Sequence, residues 1–467
     1  MRRPEKYCYH SLTEMASSFF SGFTRLASLS WAALAVYLAL LAMRLFPLSS
    51  SSERVAPYLR AFSPWFLFFG VAAAFVICAA LRRYSWEKNN GLAALTAWLA
   101  AALLLHSFLC WTAVFPLPEL VLSPTANSFY AASALPPSEV LSRFKELPAL
   151  FPAAQHMHTN MAGKPLLYSL LAAAGGQGAF FMAVTLIVLG KLAALPIYFL
   201  VVALSEDRRK ALLSAVFYLF APMLFYFSPM LNTVTPLFLL SAMLAVVYCL
   251  RTGLMRYAPL AGALFYLLLL FEPAPGAVLC LFTALALVYY GKLYADTALR
   301  RSAAALALAA VGFAAVYALL SVCFGYSLWD NMRQSYVYAQ VPFYKREYWR
   351  WFAMNPFLFL INCGVGLALA AVASGWAAPR RFLKGGEPLF LEASFALVLL
   401  VSLAFFNFLG LVGAEASRLW LYLAPLAAVL AASYCVEKQS LHIAWAVLGV
   451  AVVQTAATLP VAGFVVP

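Results

Sequence analysis

A succession of apolar runs, each about as long as the hydrocarbon core of a bilayer is thick, constrains this chain more than any other feature. A helical crossing needs about 20 mostly apolar residues. Such runs fall near 27–46, 62–81, 91–115, 180–204, 211–228, 232–250, 257–271, 273–291, 302–324, 354–376, 388–410, 418–435 and 441–462. Hydrophobic residues make up 65% of the 467, and charged residues only 10%. A soluble domain carries about 25% charge, so lipid and other apolar helices must surround most side chains. The expected architecture is all-α: one polytopic membrane domain over residues 1–467 with about 13 transmembrane helices.

Basic residues near the N-terminus (Arg2, Arg3, Lys6) are not followed at once by a short apolar core and a small-residue cleavage site. The run from Ala27 is therefore read as a retained helix. Only Glu272-Pro273-Ala274-Pro275 separates the runs 257–271 and 273–291, which predicts a tight hairpin or a broken helix.

The net charge of +14 does not indicate nucleic acid. The basic residues form short clusters between apolar runs, as topology signals do, and no RNP, zinc-finger or helix-turn-helix pattern accompanies them. The eight cysteines (Cys8, Cys78, Cys110, Cys249, Cys280, Cys323, Cys363, Cys435) include no C-x-x-C and mostly fall inside apolar runs. They read as small packing residues.

With the N-terminus placed in the cytoplasm, 19 of the 31 Lys and Arg residues fall on cytoplasmic segments. Every predicted inner connection is basic and short, which predicts an external C-terminus. The polar mass lies outside, in loops at about 116–179 and 325–353 and in the short turns Ser228–Asn232, Glu272–Pro275 and Gly410–Ser417. Any chemistry is expected on that face.

Within the first loop, residues 137–147 predict a short helix with Val140, Leu141, Phe144 and Leu147 on one face. Next to membrane spans it is expected to lie flat in the interface. The segment from His156 to Tyr168 is polar and turn-rich. His156 and His158 lack nearby carboxylate or cysteine ligands, so no metal is assigned to them. Together with Asn160 and Lys164 they offer donor and positive groups where a phosphate could sit.

In the second loop, Tyr326–Arg333 and Tyr344–Trp351 mix aromatic and basic residues. This is an interfacial belt, or a face for sugars and phosphates that includes Tyr348. In the last turn, Glu415 and Arg418 stand three apart at a helix start and can meet on one face. Arg418 suits a lipid phosphate. Lys191 and Glu392 fall in or near spans, where ionisable residues are functional candidates.

At these motifs the chain resembles the GT-C superfamily of membrane glycosyltransferases, in the branch related to polyprenyl-phosphate-sugar and protein mannosyltransferases. The helix count and the long early loop carry part of the resemblance. His158-Thr159-Asn160-Met161-Ala162-Gly163-Lys164-Pro165-Leu166-Leu167 is similar to the family's His-x-Pro-Pro-Gly-x-x-Leu-Leu. Phe324-Gly325-Tyr326 is followed by the aromatic loop and Asn355-Pro356-Phe357. Gly413-Ala414-Glu415-Ala416-Ser417-Arg418-Leu419-Trp420 is similar to the family's Gly-Glu-x-x-Arg-hydrophobic-Trp. The resemblance covers about residues 115–435.

It implies a GT-C fold in a bacterial inner membrane. It also implies inverting transfer of a sugar from a polyprenyl-phosphate donor to an acceptor, with a first-loop carboxylate as base and basic residues on the leaving phosphate. A divalent cation is compatible with the family but has no ligand cluster in this sequence. The early loop departs from the pattern, because it has no aspartate. The chain's three are Asp207, Asp296 and Asp330. Glu119 is the nearest upstream acid, Glu139 and Glu146 belong to the predicted helix, and Asp330 and Glu272 are external but elsewhere. Either Glu119 replaces the family's Asp, or the base comes from elsewhere, with Asp330 the other acid to test, or catalysis is lost. The competing readings are a lipid-linked saccharide transporter, in which Lys191 would matter most, and a non-catalytic membrane subunit.

Overall fold

A computed structural model of the chain describes residues 8–45, 58–83, 91–123, 127–293, 298–343, 348–383, 390–410 and 416–465. In hydrocarbon every backbone N–H and C=O needs a partner within the protein, and a helix supplies nearly all of them from its own turns. The described chain is accordingly an all-helical, polytopic membrane protein. Among the described residues, nine helices are long and apolar enough to cross: Arg25–Ala42, Gly91–Thr112, Ala179–Ser205, Arg208–Tyr226, Leu231–Thr252, Ala274–Gly291, Arg300–Phe324, Phe390–Phe408 and Leu441–Thr458. Three shorter apolar helices, Pro64–Ala80, Tyr257–Phe271 and Leu421–Glu437, lie where the sequence predicts further crossings.

The spans differ in what surrounds them. Arg208–Tyr226 is 89% buried and Leu441–Thr458 is 83% buried, whereas Arg300–Phe324 is 6% buried. The first two form the centre of the bundle, and the third faces lipid. It is fixed to the helix Tyr257–Phe271 where Gly262 meets the Ala309 carbonyl and Gly312 meets the Pro259 carbonyl, at distances that leave no room for a Cβ on either glycine. Backbone-to-backbone contact through small residues is how membrane helices associate closely.

The two runs around Glu272 form a hairpin. Gly276, in the first turn of the second helix, lies against Phe265 and Leu269 of the first, so the chain has reversed direction.

The expected single span 354–376 is broken. Tyr348–Cys363 and Val365–Ala377 meet at 110°. Gly364 stands at the corner with φ +114°, where a side chain would be strained. The break frees backbone groups inside the bundle, and Gln454 takes them up from a neighbouring helix. Its Oε1 accepts from the Val365 N–H at 2.9 Å, and its Nε2 donates to the Ile361 carbonyl at 2.8 Å.

The loop 116–179 is a folded cap of short helices with its own apolar core. Val140, Leu141, Phe144 and Leu147 are buried in that core with Phe129, Met157, Tyr168 and Tyr326. This corrects the expectation of interfacial helices. The apolar face of the helix Pro137–Ser142 packs against protein, because the helix Gly163–Gly175 and the span Ala298–Phe324 supply apolar surface to cover it. The second loop closes on this cap. In the helix Leu328–Phe343, Asn331 Oδ1 accepts from the Ala162 N–H and from the Tyr326 hydroxyl, both at 2.8 Å. Ser335 Oγ donates to the Asn160 carbonyl at 3.0 Å.

Replacing Gln454 by Leu should destabilise the protein by on the order of 1–3 kcal/mol, because it leaves the Val365 N–H unpaired while the Ile361 carbonyl keeps its bond from the Gly364 N–H. Reversible SDS unfolding in mixed micelles measures this. Gly312→Val should separate two helices at their closest approach and lower the melting temperature more than Gly291→Val, whose position is open.

Candidate functional site

The buried acid on the face of the two long loops is Glu272. Pro273 follows it and disfavours helical backbone in the residue before it. Glu272 is accordingly extended, at φ −157° and ψ 116°, and its side chain turns into the protein. Thr235 Oγ1 donates to Oε2 at 2.6 Å. Asn232 Nδ2 lies 3.3 Å from Oε1 and 3.4 Å from Oε2. The Lys164 ammonium stands 3.5 Å from Oε2. All four side chains are buried.

Lys164 arrives from the cap. The helix Gly163–Gly175 starts against the neighbouring hairpin, and a Cβ at position 163 would stand only 2.5 Å from the Leu270 carbonyl. Glycine at 163 therefore lets Lys164 reach across. Its ammonium also donates to Asn160 Oδ1 at 3.0 Å and lies 5.9 Å and 6.0 Å from the ring centres of Phe129 and Phe271. Burial pulls the Lys164 ammonium below the ordinary lysine range; Glu272 opposes that shift and the nearby charge of Arg418 adds to it. Arg418 sits in the four-residue helix Ala416–Leu419, so the second predicted cation comes to the same place from the far end of the sequence.

The sequence-predicted residues divide into two groups. Asn160, Lys164 and Arg418 converge on this cluster. His156 borders it: its ring stacks on Phe129 at 6.1 Å and its backbone N–H donates to Ser128 Oγ at 3.0 Å. His158 lies beside Tyr338 at 5.6 Å, with Nε2 buried and lacking a hydrogen-bond partner. The others lie elsewhere. Glu119 is exposed on the helix Leu117–Leu122. Asp330 is half-exposed and paired with Lys145 at 2.6 Å. Tyr348 donates to the Phe408 carbonyl at 2.8 Å and packs with Trp349 and Phe352. Glu415 lies outside the described residues.

Sequence reasoning named Glu272 as an external acid but did not assign it a role, and it passed over Asn232 and Thr235. The available signal was a lone acid between two apolar runs, next to prolines, with a polar Asn-Thr-Val-Thr stretch at another turn of the same face.

Two other charged residues are structural. Lys191 Nζ donates to the Leu219 carbonyl at 3.1 Å and stands 4.1 Å from the Phe225 ring centre. Tyr218 donates to the Gly190 carbonyl at 2.9 Å. The helix Arg208–Leu219 stops ahead of Pro222, and the Lys191 ammonium caps the Leu219 carbonyl that the break frees. Glu392 is paired with Lys210 at 2.5 Å. Among the described residues no three His, Cys, Asp or Glu side chains gather as a metal site.

No family model matches the chain, and no curated protein matches it.

A carboxylate held by a hydroxyl, an amide and an ammonium is oriented and partly neutralised. The same ammonium, with Arg418 near it, can bind an anion. Removing one member of such a pair leaves a buried charge alone. Lys164→Met and Glu272→Gln should each destabilise by about 3–5 kcal/mol, and the double variant by much less than the sum. A double-mutant cycle on unfolding free energies tests this, and additivity would mean that the pair is not coupled.

Proposed function

We propose that the chain is a GT-C-type membrane glycosyltransferase. In this reading it crosses the bacterial inner membrane thirteen times, with the N-terminus in the cytoplasm and the C-terminus outside. It transfers a sugar from a polyprenyl-phosphate carrier to an acceptor at the outer face. The observation that carries the reading is the Glu272–Lys164 pair, buried at the turns of one face, with Arg418 beside it and both long loops folded over it.

Each member has a place in the chemistry. The acceptor hydroxyl oxygen attacks the anomeric carbon of the donor sugar from the side opposite the phosphate. Glu272 takes the hydroxyl proton as the new carbon–oxygen bond forms. The bond between the anomeric carbon and the phosphate oxygen breaks, and both its electrons leave with the polyprenyl phosphate. Lys164 and Arg418 hold the charge that develops there. Thr235 and Asn232 keep the carboxylate aimed. Glu272 thus fills the role that the missing early-loop aspartate leaves open. The transporter reading needs Lys191 as a moving charge, whereas that lysine is engaged in capping a helix end.

The test is sugar transfer by the purified protein with a panel of polyprenyl-phosphate sugars. Glu272→Gln should lower the rate at least 100-fold, the scale of a lost general base, and leave donor binding in place. Glu119→Ala and Asp330→Ala should retain most of the activity. Full activity in Glu272→Gln would remove the proposal.

A further inference from the structure

Beyond the charged cluster, the helix Tyr348–Cys363 carries a polar stripe into the apolar bundle. Trp351, Asn355 and Asn362 all point to its buried side, together with Leu358 and Phe359. Asn362 Nδ2 donates to Ser417 Oγ at 2.7 Å, yet its Oδ1 is buried and has no hydrogen-bond partner. Facing it, Trp420 is 1% exposed, stands edge-on to Phe359 at 6.3 Å, and its indole N–H is buried without an acceptor. The Trp351 indole N–H is in the same condition one helical turn before Asn355. Asn355 Nδ2 lies 3.3 Å from Asn407 Oδ1, and Asn407 Nδ2 donates to the Phe352 carbonyl at 2.7 Å.

Buried polar groups in proteins are nearly always satisfied. Here two donors and one acceptor are left open on two facing surfaces. Their chemistry selects among the parts of a lipid-linked sugar. A phosphate offers only acceptors and would leave Asn362 Oδ1 unserved, and a polyprenyl chain serves neither kind of group. A hydroxyl both donates and accepts, so hydroxyls can meet the amide oxygen and the indole N–H together. The stripe also adjoins the reaction centre. Ser417 precedes Arg418, and the following turn Leu421–Leu423 packs on the segments that carry Asn232 and Thr235.

Resting on the transferase reading, we infer that Asn362, Ser417 and Trp420 form a saccharide subsite that takes the neutral hydroxylated ring of the donor or the acceptor.

The experiment is titration calorimetry of the full chain in nanodiscs with three probes: farnesyl phosphate, farnesyl-phosphate-linked hexoses and pentoses, and the methyl glycosides of the same sugars. At least one lipid-linked sugar should bind about tenfold more tightly than farnesyl phosphate. Trp420→Phe removes one N–H and keeps an aromatic ring. It and Asn362→Leu should each reduce that advantage about five- to tenfold, the scale of one hydrogen bond, with farnesyl phosphate affinity unchanged. If the variants weaken the methyl glycosides and spare the lipid-linked advantage, the ring bound is the acceptor's. If Asn362→Leu does not fold, Trp420→Phe alone decides. An advantage that survives both substitutions with glycoside binding also unchanged, or equal affinity for the bare and the sugar-bearing lipid with no glycoside binding, overturns the subsite. Failure of every probe to bind overturns the transferase reading itself.

Discussion

The need to satisfy backbone hydrogen bonds where no water reaches organises this structure. Unbroken helices meet it by themselves. The informative places are those where a helix stops inside the bundle. At the corner of the bent pair, the two ends of one amide side chain, Gln454, serve the freed N–H of Val365 and the freed carbonyl of Ile361. Where the helix Arg208–Leu219 ends, an ammonium from a neighbouring span reaches the Leu219 carbonyl and a tyrosine hydroxyl answers in the other direction. Polar side chains deep in such a bundle are first of all replacements for lost helix turns.

That rule also isolates what it does not explain. The side chains of Glu272 and Lys164 cap no helix. The helix Tyr257–Phe271 is closed by the backbone N–H of Glu272, and Lys164 lies in the second position of its own helix. Their burial carries a desolvation cost that a hydrophobic pair would avoid. The cost is offset in part by Thr235 and Asn232 on the carboxylate and by Asn160 on the ammonium, which come from two separate segments.

The long apolar runs and the two polar loops were legible in the sequence, because both follow from composition and length. The helix break at Gly364 was not. A glycine within an apolar run looks like packing, and the partner that makes the break affordable is Gln454, about ninety residues later. Lys164, Asn160 and Arg418 were found from their motifs, since basic and amide residues among turns are conspicuous. Glu119 and Asp330 were chosen by their position along the chain, but ion pairing and exposure depend on the fold. The helix at residues 137–142 was misjudged in its surroundings. Its amphipathic pattern says only that one face is covered, and here the covering is an apolar core that the cap shares with the neighbouring spans.

The span Arg300–Phe324 has a practical corollary. It packs mainly on the helix Tyr257–Phe271, and most of its residues are exposed on the outside of the bundle. Three residues separate it from the helix whose Asn331 and Ser335 hold the cap shut. Lipid that covers this exposed span would thus bear on the closed cap through the short connection between the two helices. Extraction that strips those lipids would loosen the peripheral span first and the cap's second anchor with it, so the choice of detergent becomes a variable in any measurement of this protein.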